Sequence, residues 1–108
     1  MLAPGNDVGV LVAMLLALSQ LARVSKDHVP RLLAAGLVAL LPPLLEHHDA
    51  AVRARVCNVV GNLCRHNDAC YEALRGGGMV PLLVDRCADV DRSTRKFACF
   101  AIGNAGAQ

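Results

Sequence analysis

The 108-residue sequence predicts an all-α fold, a solenoid of stacked helical repeats, on three observations. Hydrophobic residues make up 55% of the chain but aromatics only 3%, so the core must be built from Leu, Val, Ala and Cys. Ala and Leu favour helix, and the aromatics that favour strands are nearly absent. Apolar residues recur periodically in segments divided by Gly, Pro and Asp, which mark helix ends. Finally, the chain resembles itself at an offset of 42 residues, with Val29–His66 lying over Tyr71–Gln108 without a gap. The identities are Leu32/Leu74, Gly36/Gly78, Val38/Val80, Leu40/Leu82, Leu41/Leu83, Asp49/Asp91, Arg53/Arg95, Cys57/Cys99, Gly61/Gly103 and Asn62/Asn104.

A period near 42 that contains several helices is the signature of an armadillo or HEAT array. The expected fold is an armadillo/HEAT-like right-handed α-solenoid of about two and a half repeats, one domain over residues 1–108. Residues 8–24 are the last helix of a partial repeat, and residues 29–66 and 71–108 are two fuller ones. The apolar run Val8–Leu18 in the first helix is too short to span a bilayer, and Ser19, Gln20 and Arg23 follow it. No Lys or Arg precedes it and Asp7 does, so it is not patterned as a signal peptide. A buried helix is expected, and no membrane partner.

Each fuller repeat divides in three. A short helix comes first, near Val29–Ala35 and near Tyr71–Gly76, and Gly36 and Gly76–Gly78 then break the backbone. The second helix reads "LVALLPPLLEH" in one repeat and "MVPLLVDRCAD" in the other. Pro81 falls in a first turn, where a missing N–H is harmless. Pro42-Pro43 sits deeper and is expected to shorten or kink its helix. Asp49 and Asp91 stand at N-cap positions, with Ser93 as an alternative. The third and longest helix runs over about Ala50–Arg65 and about Arg92–Gly106.

Arg53 and Arg95 lie four residues after those aspartates, and each can bridge to its own repeat's Asp or to a neighbour's. Asp49, Arg53, Gly61, Asp91, Arg95 and Gly103 are expected to stack repeat on repeat. Glycine inside a helix costs about 1 kcal/mol relative to Ala, so Gly61 and Gly103 imply a close approach by a neighbouring helix.

The net charge of +2, with both signs interspersed, gives no electrostatic case for nucleic acid. RNA-reading helical repeats carry stacking aromatics, which are scarce here. Five Cys without a CxxC pair fit a reducing, cytoplasmic compartment, with Cys57, Cys64 and Cys99 as small hydrophobes in apolar segments. "CRHNDAC", Cys64–Cys70, matches no zinc spacing, so no metal and no cofactor are expected. No nucleophile–base pair stands at a recognisable spacing, so no enzyme is expected either.

Two stretches, "VRARVCNVVGNLCRHNDACYEAL" and "GGGMVPLLVDRCADVDRSTRKFACFAIGNAG", resemble the armadillo-like repeats of Fused-type serine/threonine kinases, called Two-in-one kinases in plants. The resemblance covers roughly Val52–Gly106, and "DRSTRKFACFAIGNA" is its most specific part. It implies a parent with an N-terminal kinase domain, and repeats far downstream that serve as a docking region. Family roles include ciliary axoneme assembly, Hedgehog signalling and plant cytokinesis with kinesin partners, hence a cytoplasmic, ciliary or cytoskeletal setting. The chain itself has no Gly-rich loop, VAIK-like Lys, HRD or DFG. It starts and ends inside the array, so a fragment is expected, with end-to-end self-association through uncapped ends.

In armadillo proteins of the importin-α and β-catenin type, an Asn on the third helix bonds the backbone of an extended peptide, and a Trp one turn earlier walls a pocket. Asn62 and Asn104 match that Asn, with Asn58 and Phe100 at the Trp position, and Gln20 stands opposite Asn62 in the partial repeat. The resemblance therefore implies a groove for a protein or extended peptide lined by Gln20, Asn58, Asn62, Arg65, Phe100 and Asn104. A buried Asn can equally close adjacent helix ends with no ligand. The alternative to a kinase docking region is a structural armadillo/HEAT subunit of a cytoskeletal or ciliary assembly, with no kinase attached.

Overall fold

A computed structural model of the chain describes residues 7–24, 41–66, 72, 75, 76 and 78–106. Every regular element among them is an α-helix: α1 over Val8–Val24, α2 over Leu41–Leu45, α3 over Ala50–His66, α4 over Met79–Arg86 and α5 over Arg92–Gly106. The short helices expected near Val29–Ala35 and Tyr71–Gly76 lie outside the described residues, except that Glu72, Arg75 and Gly76 are helical.

An aspartate opens each long helix. Asp7 Oδ1 accepts from Val10 N at 3.2 Å, Asp49 Oδ1 from Ala51 N at 2.8 Å and Asp91 Oδ2 from Thr94 N at 2.8 Å. Their carbonyls accept the next helical bonds, from Leu11, Arg53 and Arg95. Each carboxylate satisfies an amide that the first turn leaves without an intrahelical partner. Asp91 is the cap where Ser93 was the alternative. Asp7 is a third copy of the same cap, one 42-residue step earlier.

Pro42 and Pro43 are the second and third residues of α2 as described, and residues 37–40 of the helix expected there lie outside the described residues. That helix ends in tight bonds from Glu46 N to Pro43 O and from His47 N to Leu44 O, both 3.2 Å. At α4, Gly78 takes φ +80°, a left-handed conformation that suits glycine, just before the first turn that holds Pro81.

The long helices form one layer, with α1 and α5 both packed on α3. The second layer is α2 against α3 and α4, and α4 against α5. α3 and α5 run parallel: Thr94 near the start of α5 bonds Ala50 O at the start of α3 (3.3 Å), Arg55 lies over Phe97, and Phe100 reaches Gly61 further along. Because α3 is covered by three helices, it buries Val52, Val56, Val59, Val60 and Leu63 almost all round its axis. Leu11 and Leu15 of α1 close the core on one flank, and Ala98 and Ala101 of α5 on the other.

Candidate interaction face on the long helices

α3 reaches solvent along one line. Ala51, Arg55, Asn58 and Arg65 are its accessible interior positions, with Asn62 between them at 6% exposure. Their spacing of three and four residues puts all five on one helix face. One 42-residue step earlier, Gly9, Ala13, Leu16 and Gln20 are exposed on α1, and one step later Phe97 and Phe100 are half-buried on α5. Gln20, Asn58, Asn62, Arg65 and Phe100 therefore occupy equivalent lines on three stacked helices. The side chain of Asn104 is not among the described ones. Where the lines begin, Val12, Ala51, Ala54, Arg55, Asp91 and Ser93 line an open furrow of about 290 Å³ that crosses all three helices.

The two asparagines are joined to each other and to α1. Asn58 Oδ1 accepts from Ser19 Oγ at 3.0 Å and, more weakly, from Asn62 Nδ2 at 3.4 Å. Neither amide bonds the backbone of a neighbouring helix end among the described residues, and each has donors that no described residue fills. The carboxamide oxygen of Asn62 has no protein partner among the described residues either, and it is not a buried unsatisfied atom.

Gly61 is buried because a ring of α5 lies on it. A Cβ added there would stand 2.5 Å from Phe100 Cδ2 and closer still to Cε2. The close neighbour is thus a side chain of α5. The positions 42 residues earlier, Ser19 and Asn58, also meet, through a hydrogen bond. One junction thus holds a polar pair and the other a glycine–phenylalanine pair. Gly103 is exposed, with nothing within 4 Å of an added Cβ among the described residues.

Arg53 does not bridge to Asp49 or Asp91, the partners expected from its spacing, because those carboxylates cap helices. It reaches Asp89 instead, from Nε to Oδ2 at 2.9 Å and from Nη2 to Oδ1 at 3.0 Å, with side chains 10% and 2% exposed. Asp89 also accepts from Arg86 Nη1 (3.0 Å) and Asp91 N (2.9 Å). These bonds, that of Arg53 first, hold its carboxyl below the usual carboxylate range, and the same pairing raises the Arg53 guanidinium further. Arg53 Nη1 clasps the carbonyls of His47 (2.8 Å) and His48 (3.1 Å). Arg95 Nη1 clasps those of Asp89 (2.8 Å) and Val90 (3.2 Å), the same bonds 42 residues on. No repeat identity marks Asp89 in the sequence, because its counterpart is His47. The two positions are nonetheless alike in one bond: Asp49 N and Asp91 N each donate two residues back, to His47 Nδ1 and Asp89 Oδ1.

Cys57 and Cys64 are buried, as expected of small hydrophobes, but Cys99 is exposed. Cys99 Sγ lies 3.7 Å from Cys87 Sγ at the end of α4 and stays exposed, whereas Cys57 is packed in the core. Burial pushes the Cys57 thiol up to about 12, so it is protonated as well as covered. Iodoacetamide on the folded chain is expected to alkylate Cys99 well before Cys57, read by peptide mass spectrometry. Equal rates would show that α3 is not the covered helix described here. No group of three or more metal-ligating side chains is assembled among the described residues, and Asn67–Cys70 lies outside them. No helix among them is long and apolar enough to cross a membrane.

No family model matches the chain. It is 44% identical over 58 residues to the serine/threonine-protein kinase TIO of Arabidopsis thaliana, across 54% of this chain and 4% of that kinase. It is 38% identical over 69 residues to serine/threonine-protein kinase 36 of Mus musculus, across 63% of this chain and 5% of that kinase. The matched stretch is a small part of each kinase, consistent with a piece that lies outside the catalytic domain.

Proposed function

We propose that the chain is a non-catalytic interaction module, part of an armadillo-like right-handed solenoid in the docking region of a Fused-type serine/threonine kinase. Its partner, a protein or extended peptide, lies across the exposed lines of α1, α3 and α5. The supporting observation is the recurrence at 42-residue steps of the Asp cap, the Arg clasp and the helix-to-helix side-chain contact. That recurrence repeats one face along the stack, with Asn62 offering spare donors and an acceptor to a peptide backbone. The likeness to two kinases supports the family, and the setting proposed with it, from the Fused-type resemblance, is cytoplasmic, at the cilium or cytoskeleton.

The test is selection of a peptide ligand from a display library on the folded chain, then measurement with Asn62→Ala plus Asn104→Ala. Loss of the carboxamide bonds is expected to weaken binding roughly tenfold, about 1.4 kcal/mol, with the thermal melt unchanged. Unchanged affinity in a folded double variant would remove the role given to the asparagines. A kinase domain in the parent gene is the matching test of the family.

A second reading, a structural subunit packed among permanent neighbours, is favoured by the apolar exposure of Val10, Leu16 and Leu21 on α1. Isolation of the parent only as a stable stoichiometric assembly would select it.

A further inference from the structure

We infer that the segment bound on this face is acidic as well as extended, an inference that rests on the interaction-module reading and names its partner class. Two cations share one ring near the end of the face where the helices start. The Arg55 guanidinium carbon lies 4.6 Å from the Phe97 ring centroid and the Lys96 ammonium 5.9 Å from it. Neither has a carboxylate partner: the ion pairs among the described residues are Arg53–Asp89, Arg86–Asp89 and Arg75–Glu72. Arg65 is a third unpaired cation on the same line of α3, about 15 Å along the helix from Arg55.

The acids at this end of the face, Asp7, Asp49 and Asp91, each cap a helix start, where the positive end of the helix dipole offsets part of their charge. Asp91, although it lines the furrow, takes both the N–H and the hydroxyl of Thr94 on one oxygen, each at 2.8 Å. Among the described residues, Arg55 and Lys96 are charges at this end that no helix end offsets. Phe97 holds the Arg55 plane in place, so an arriving carboxylate meets a donor fork that is already ordered. Asn58 and Asn62, one and two turns further along, supply hydrogen bonds to the backbone of the same segment. Three cations fall short of the phosphate contacts that a nucleic acid normally demands, and the two rings are covered, by cations at Phe97 and by Gly61 at Phe100. A polypeptide acid is the occupant that fits.

The experiment is fluorescence anisotropy on the full chain with three labelled probes: alternating Glu and Ser, alternating Lys and Ser, and single-stranded oligo-dT. The Glu peptide is expected to bind at least roughly tenfold tighter than the other two and to weaken with added salt. Arg55→Glu and Lys96→Glu are each expected to lose roughly tenfold in affinity with an unchanged circular-dichroism melt. Arg75→Glu makes the same charge change off the face and is expected to leave binding unaltered. Equal loss in Arg75→Glu, no loss in folded Arg55→Glu, or tighter binding of oligo-dT would overturn the inference. If the Lys peptide binds best and Asn62→Ala weakens it, the acidic class is wrong while the interaction module stands. If no probe binds and display selects no ligand, both fall.

Discussion

Replacing Arg53 by Ala is expected to destabilise the folded chain by about 3–5 kcal/mol, the cost of removing one partner from a buried ion pair. The variant leaves Asp89 buried with half its side-chain hydrogen bonds and removes the Arg53 donor from the carbonyls of His47 and His48. For a small domain with about 5–15 kcal/mol in all, that loss puts the chain close to unfolding near body temperature. Urea melts followed by circular dichroism measure it. Arg95→Ala is the internal comparison: the same carbonyl clasp, but exposed and with no carboxylate, and expected to cost about 1 kcal/mol. Similar losses in the two variants would show that the buried Asp89 contact adds nothing to the clasp.

The pair also fixes an acid limb of stability. Asp89 is held below its ordinary value in the folded chain, so the unfolded chain takes up its proton more readily. The contribution is complete above about pH 4, where the unfolded carboxyl is ionised, and is lost as pH falls through the lower folded value. In Arg53→Ala this limb should flatten, since its largest cause has been removed.

Gly61→Ala is expected to destabilise by about 1 kcal/mol in the native sequence and to stabilise by about 1 kcal/mol in a Phe100→Ala background. The added methyl group improves helix propensity by about 1 kcal/mol at this interior position. Against Phe100 it must push the ring aside, and overpacking of that kind costs about 1–3 kcal/mol. The ring is half-buried and can swing, which keeps the net loss small. A coupling energy of about 2 kcal/mol in the double-mutant cycle is the quantity to measure. Additive effects would mean that the ring does not rest on Gly61. Gly103→Ala meets no described atom within 4 Å, so the propensity gain should appear there undiminished.

The long helices and their starting aspartates are legible in the sequence because caps and helical periodicity act within four residues. Val8–Val24 and Arg92–Gly106 match the expected bounds, and Ala50–His66 differs by one residue at its end. The 42-residue register by itself puts Asn58 and Phe100 at one matching position and Asn62 four residues beyond the first of them. Tertiary structure alone decided which partner each position meets. Arg53 and Asp89 lie 36 residues apart and share no repeat identity, so only the packing of α3 on α5 brings them together. Cys57 and Cys99 share a register, yet one is buried and the other exposed, because Cys57 is packed into the core while Cys99 meets only the end of α4, at Cys87, among the described residues. The sequence therefore determined the three long helices and the positions that recur on them at 42-residue steps, while the packing of helices determined burial, pairing and the line left open to solvent. Burial depends on what covers a surface, and that is set by distant parts of the chain.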